Sequence, residues 1–200
     1  MGLSKELQER WKGMLHDPDK DVQMRALTEI GRAHSLVRKR PSPLADIKLG
    51  TGNAATKFEG EGLPTTLRDS ILEKLSSEDP YMRAGAVLAL IHWRDEATLK
   101  ALKKALDDPA VDVRLAAIQA VVETAPEELM DELVKVAKQD DSEIVRAKAV
   151  DAIKWFMRSQ GLPETGAVRT RGDAVGHLAQ VLEEIRREDK SSYVRFVAGT

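Results

Sequence analysis

The 200-residue chain contains no cysteine, which excludes disulfides and thiolate-held metal and is the usage expected of a reducing compartment. Aromatic residues are nearly as scarce, at 4%. A core must therefore come from Ala, Leu, Val and Ile, a composition suited to close-packed helices rather than a β-sandwich. No apolar run approaches the ~18 residues that span a bilayer. The N-terminus turns charged at Lys5 and Glu6, without the apolar stretch of a secretory leader. Net charge is also small, −2 from 31 basic and 33 acidic residues, so no global field directs the chain to nucleic acid or membrane. A soluble, cytoplasmic protein is the expectation.

What the chain does have is a recurring frame. Residues 17–23 read Asp-Pro-Asp-Lys-Asp-Val-Gln and residues 108–114 read Asp-Pro-Ala-Val-Asp-Val-Arg. Residues 140–146 and 189–195 keep the spacing and end on Val-Arg, and Asp79-Pro80-Tyr81-Met82-Arg83 reads as a shortened copy. Self-similarity at about thirty residues is the mark of a repeat architecture. With the last residue of each frame (Gln23, Arg83, Arg114, Arg146, Arg195) as position 0, apolar residues fall at +3, +4 and +7, as in Ala86, Val87 and Leu90 or Ala117, Ile118 and Val121. That spacing predicts one buried helix face. Position +3 is Ala in all five copies, Ala198 included, small enough for a neighbouring helix to approach closely. The Asp or Asp-Pro before each helix suits a first turn with free N–H groups.

A second amphipathic helix precedes each of these. Its apolar faces are Leu7, Trp11, Met14 and Leu15; Leu67, Ile71, Leu72 and Leu75; Leu99, Leu102 and Leu106; Leu129, Leu133 and Val136; and Leu178, Leu182 and Ile185. The fourth has Pro126 at a first-turn position. The prediction is one all-α domain over 1–200, built of five helical hairpins at about 4–34, 66–94, 95–125, 126–158 and 173–200.

The pattern Asp108-Pro109 through Arg114, Ala117 and Ala120 resembles HEAT repeats of the PBS-lyase type, and the resemblance extends over most of the chain. It implies a right-handed α-solenoid, armadillo-like in outline, whose second (B) helices line the concave surface. It also implies an Asp/Arg ladder between repeats, for which Asp112, Arg114 and Arg146 are the matching residues. Gln23 and the shortened second frame depart from that ladder.

Frame spacing is uneven, which places insertions at about 35–64 and 159–172. Both are rich in Gly and Pro and read as loops, and in solenoids such loops often belong to the binding face. Arg38, Lys39 and Arg40 open the first, and Arg158, Arg169 and Arg171 accompany the second. The fifth B helix begins near Ser192: either it is a short stub that leaves Val194 and Val197 partly uncovered, a surface for dimerisation or a partner, or the chain is part of a longer protein.

Chemistry is sparse. His16, His34, His92 and His177 do not pair at metal-ligand spacing, so no metal site is expected. Gly50 to Lys57 lacks the Gly-Lys-Ser/Thr ending and the preceding strand of a phosphate loop. Trp11 and Trp93 fall on packed faces. Trp155 falls at the edge of its face with Phe156 in the core, and could stack a base or a partner side chain. DNA glycosylases occur among HEAT-like proteins, but no basic concave stripe and no partner carboxylate accompany Trp155 and Arg158. Nothing specific supports a phycobilin lyase.

The reading that follows is a non-catalytic scaffold for protein–protein interaction, without cofactor or metal. Its candidate binding residues are Arg38, Arg40, Trp155, Arg158, Arg169 and Arg171. Nucleic-acid binding through the same basic edge is the alternative.

Overall fold

The computed structural model describes residues 4–37, 63–124, 127–160 and 173–200. They form ten α-helices and no strand. In order these are α1 Lys5–Leu15, α2 Lys20–Val37, α3 Thr65–Lys74, α4 Pro80–Ala89, α5 Glu96–Ala105, α6 Val111–Thr124, α7 Met130–Gln139, α8 Glu143–Ser159, α9 Asp173–Glu188 and α10 Ser192–Gly199. A single 3-10 turn, Leu90–His92, extends α4. Odd and even helices pair as the A and B members of five hairpins stacked into an α-solenoid. The two insertions, and Pro126, lie outside the described residues.

Local chemistry sets the starts. Asp79 accepts from the Tyr81 N–H at 2.9 Å with Pro80 in the first turn of α4, Asp95 accepts from Thr98 N–H ahead of α5, and Ser191 from Val194 N–H ahead of α10. The buried stripe is the predicted one. The +3 alanines Ala26, Ala86, Ala117, Ala149 and Ala198 are all buried, and so are Ile30, Leu90, Val121 and Ile153 at +7. Trp11 and Trp93 are core residues whose indole N–H groups reach Glu29 and the Leu63 carbonyl. In α8 the order at the edge differs from expectation: Met157 is fully buried, while Phe156 is half-buried against the same cluster. At 100° per residue +11 lies roughly 30° from the centre of the +3, +4, +7 stripe and +10 roughly 65°, so +11 is the deeper position.

The ladder is present, but one of its predicted members is wrong. Arg83 holds Asp108 with two bonds of 2.9 and 2.8 Å, Arg114 holds Asp140 at 2.7 and 2.9 Å, and Arg146 holds Asp189 at 2.8 and 2.9 Å. The acid is thus at −6, not at −2. Asp112, already one residue into α6, points to solvent on the opposite side of the helix from Arg114. Each −6 side chain also closes its own turn by accepting from the N–H at −4, as Asp108 does from Ala110 and Asp140 from Ser142. Ser77 does the same for Asp79 at 3.2 Å, so the second frame is full length, with Ser in place of Asp. Gln23, at the arginine position of the first repeat, makes the bond to its own turn at the Asp17 carbonyl. Arg83, Arg114 and Arg146 each make that bond too.

The B helices pack closely on one another from α2 through α4, α6 and α8 to α10, while A helices meet their counterparts sparingly. On the A side, long lysine side chains bridge the gaps: Lys103 to Glu132, Lys135 to Asp107 and Lys138 to Glu184. Closer B–B than A–A packing curves the stack with the B helices inside. The last hairpin corrects another expectation: Val194 and Val197 are buried, and Tyr193 and Phe196 are the exposed large hydrophobic residues of α10. Lys154 of α8, itself buried, pins α10 by donating to the Val197 carbonyl at 2.9 Å, a cation placed at a helix C-terminus.

Arg146 and Asp189 are the most buried rung, with side chains 2% and 5% exposed. Truncating one partner of such a pair costs about 3–5 kcal/mol because the other charge stays buried. Arg146→Ala should therefore lower the urea stability, read by circular dichroism, by that order, while Asp112→Ala should stay within about 0.5 kcal/mol.

Burial alone raises a carboxyl pKa, yet the guanidinium bonds and charge outweigh it. Arg146 thus holds Asp189, and Arg83 holds Asp108, below the ordinary carboxylate range. A folded pKa below the unfolded one contributes stability that is full above the unfolded value and is lost as pH falls through the folded one. The urea midpoint should be flat near neutrality and fall progressively below about pH 4. Asp189→Asn should lower the midpoint at neutral pH and shrink that acid-side fall.

Candidate binding groove

The face of each B helix opposite its buried stripe carries positions −2, +1, +2 and +5, which lie within about 100° of one another around the axis. Stacking the B helices turns these positions into parallel rows across the inside of the curve. Row −2 reads Asp21, Tyr81, Asp112, Ile144 and Tyr193. Row +1 reads Met24, Ala84, Leu115, Ala147 and Phe196, and row +5 reads Thr28, Leu88, Gln119 and Asp151.

An open hollow of about 520 Å³ lies on this face between α4 and α10. Ala84, Ala116 and Ala147 form its floor, with Leu88 and Leu115 on one side and Ile144 and Tyr193 on the other. Asp112, Gln119, Lys148 and Asp151 supply its polar edge. Small residues at +1 and +2 make the floor low, because two B helices can close on each other there. Gly85 shows the limit: a Cβ at that position would sit 3.0 Å from Met24 Sδ and 3.4 Å from Leu27 Cδ1.

The apolar residues on this face are unusually exposed. Tyr81 is 68%, Ile144 59%, Tyr193 53% and Phe196 68% exposed, and all four sit in rows −2 and +1. Val111 is the other large hydrophobic residue exposed among the described ones. Scattered apolar residues on a surface need no explanation. Four in register on one helix face, of which Ile144 and Tyr193 line the hollow, make that face the candidate site.

Of the binding residues expected from the sequence, Trp155 and Arg158 are at +9 and +12 of α8, on the same strip as Ile144, Lys148 and Asp151. Trp155 is half-buried and Arg158 is exposed. Arg38, Arg40, Arg169 and Arg171 lie outside the described residues. The sequence reading missed Tyr81, Leu88, Leu115, Ile144, Tyr193 and Phe196. The signal for them was available: each is apolar yet falls off the +3, +4, +7 stripe. Among the described residues no cluster of His, Asp and Glu is arranged to hold a metal, and no helix is long and apolar enough to cross a membrane.

Residues 68–154, from α3 to the end of the core of α8, match the family model for HEAT repeats. No curated protein matches the chain. Among solved structures, the chain is similar to a designed armadillo repeat protein at 16% identity and a TM-score of 0.47, covering 96% of this chain and 97% of that one. It is also similar to two engineered proteins. One is 18% identical with a TM-score of 0.46, covering 98% of this chain and 96% of the other. The second is 17% identical with a TM-score of 0.45, covering 98% and 94%.

Groove residues are exposed, so their truncation should leave the fold intact. Tyr193→Ala and Ile144→Ala should each shift the urea stability by less than about 1 kcal/mol, in contrast to the rung variants.

Proposed function

From a solenoid whose residues 68–154 are HEAT repeats, we propose a non-catalytic, cytoplasmic scaffold that binds a segment of a protein partner in its B-helix groove. The observation that carries this reading is the alignment of Tyr81, Ile144, Tyr193 and Phe196 on the inner face. Aromatic anchors beside a small-residue floor are the composition of interface centres, and Tyr loses little conformational freedom on binding.

Spacing favours an extended occupant. Packed helices stand about 8–10 Å apart, and an extended chain in the polyproline-II form advances about 3.1 Å per residue with three residues per turn, which keeps every third side chain on one face. A segment crossing α4, α6, α8 and α10 therefore meets a new helix every third residue or so. An apolar side chain at each third position would fill the hollow in turn, and a basic residue between two of them would face Asp112. In this proposal the contact surface continues to Trp155 and Arg158, and to Arg38, Arg40, Arg169 and Arg171 of the insertions. Asp112 and Asp151 disfavour a phosphate backbone in the groove, so the nucleic-acid reading draws no support from this face.

The test is selection of displayed peptides on the wild-type protein, with counter-selection on the Ile144→Asp variant. Enriched peptides should carry apolar residues at three-residue spacing and lose at least about tenfold in affinity on Tyr193→Ala, a difference of roughly 1.4 kcal/mol. Peptides that bind the groove variants as well as the wild type would sink the reading.

A further inference from the structure

The ladder leaves two halves over. A rung needs the position-0 arginine of one repeat and the −6 carboxylate of the next. Three junctions are filled that way, and the first has the neutral residues Gln23 and Ser77 at those two positions, each bonded within its own turn. Remaining are Arg195, at position 0 of the fifth repeat, and Asp17, at −6 of the first.

Both are already held in the rung pose. Arg195 Nη1 donates to the Asp189 carbonyl, the same bond to its own turn that orients Arg83, Arg114 and Arg146. Its Nε and Nη2 have no carboxylate among the described residues. Asp17 accepts from the Asp19 N–H at 2.9 Å, the same turn closure that orients Asp108, Asp140 and Asp189. No cation meets it among the described residues.

We propose that two copies of this chain associate head to tail, with Arg195 of one taking Asp17 of the other as a further rung. The neighbouring side chains fit the same operation. At the first junction the +2 residue packs on the preceding repeat's +1 residue, as Gly85 does on Met24. Phe196 at +1 is exposed, and the residue at +2 of α2 is Arg25, whose side chain is 73% exposed. Arg25 Nε donates to Glu29 at 3.1 Å, and docking stacks the face of that guanidinium on the Phe196 ring, a cation–π contact that leaves the in-plane bond to Glu29 in place. The A-helix faces that approach, α1 and α9, both carry mixed charge, as in Lys5, Glu6 and Glu9 against Glu183, Arg186 and Arg187.

Such an interface is heterologous, so it builds open chains or closed rings rather than a two-fold dimer. The junction and the groove share the exposed Phe196 ring, whereas Arg195 and Asp17 lie off the groove, so variants at those two positions report on the junction alone.

Sedimentation velocity of the full chain, from low micromolar to sub-millimolar protein at moderate salt, tests it. The wild type should show a sedimentation coefficient that rises with concentration. Arg195→Asp and Asp17→Arg, each first shown folded by circular dichroism, should each weaken assembly by at least about tenfold. Mixing the two variants should restore it, since one new junction carries the reversed pair and the other the natural one. A wild type that stays monomeric throughout, a variant that assembles like the wild type, or a mixture that fails to recover overturns the proposal.

Discussion

The rest of the structure depends on one side chain doing two jobs at once. The aspartate at −6 closes the A–B turn by accepting from the N–H two residues later, and in that pose its carboxylate faces the preceding repeat's arginine. The arginine is fixed in turn by the carbonyls of its own turn. Neither partner has freedom left to lose when the repeats stack, so the geometry of the stack is set by the turns. A long side chain held at three points acts as a spacer as much as a charge. The first junction shows the same frame without the charges: Gln23 and Ser77 keep both turn closures. There the repeats are joined by other means, including the bond from His92 Nε2 to the Ile30 carbonyl at 2.7 Å.

Small residues decide how closely the B helices approach. Alanine at +3 in every repeat, and Ala89, Ala120 and Ala152 at +6, put almost no side chain between neighbouring helices. The A helices have no such column and stand apart, spanned by flexible lysines whose surface ion pairs contribute little. Curvature follows from that inequality. So does the groove, whose alanine floor is the outer edge of the same close approach. The core divides into two clusters, one under repeats one and two and one under repeats two to five, and the neutral junction falls within the first of them.

Much of this was legible from residues alone. The alternation of A and B helices is the one the periodicity indicated, although α7 begins at Met130, four residues after the Pro126 expected to open it, and the +3, +4, +7 stripe named the core residue by residue, because a helix needs only its own 3.6-residue geometry to select a face. Assignments that required a second repeat were less secure. Asp112 matched the ladder by motif, but its position within the first turn of α6 turned it to the opposite side of the helix. The second frame looked shortened because Ser77 was not recognised as a substitute for Asp. Val194 and Val197 looked uncovered because α10 is short, yet α8 and α9 close over them. In each case the error was one of contact between elements, not of the elements themselves.

The site divides along the same line. Trp155 and Arg158 were singled out for their chemistry and fall in register with the groove rows without lining the hollow, while the exposed apolar residues of that face, Tyr81, Ile144, Tyr193 and Phe196, had no motif to announce them. The amino-acid sequence by itself determined the helices, their buried faces and the repeating turn, since each depends on residues fewer than about eight apart along one helix. The tertiary structure alone decided which acid meets which arginine and which exposed apolar residues share one surface. Those partners are 25 to 43 residues apart in the chain, and their meeting depends on how whole hairpins stack.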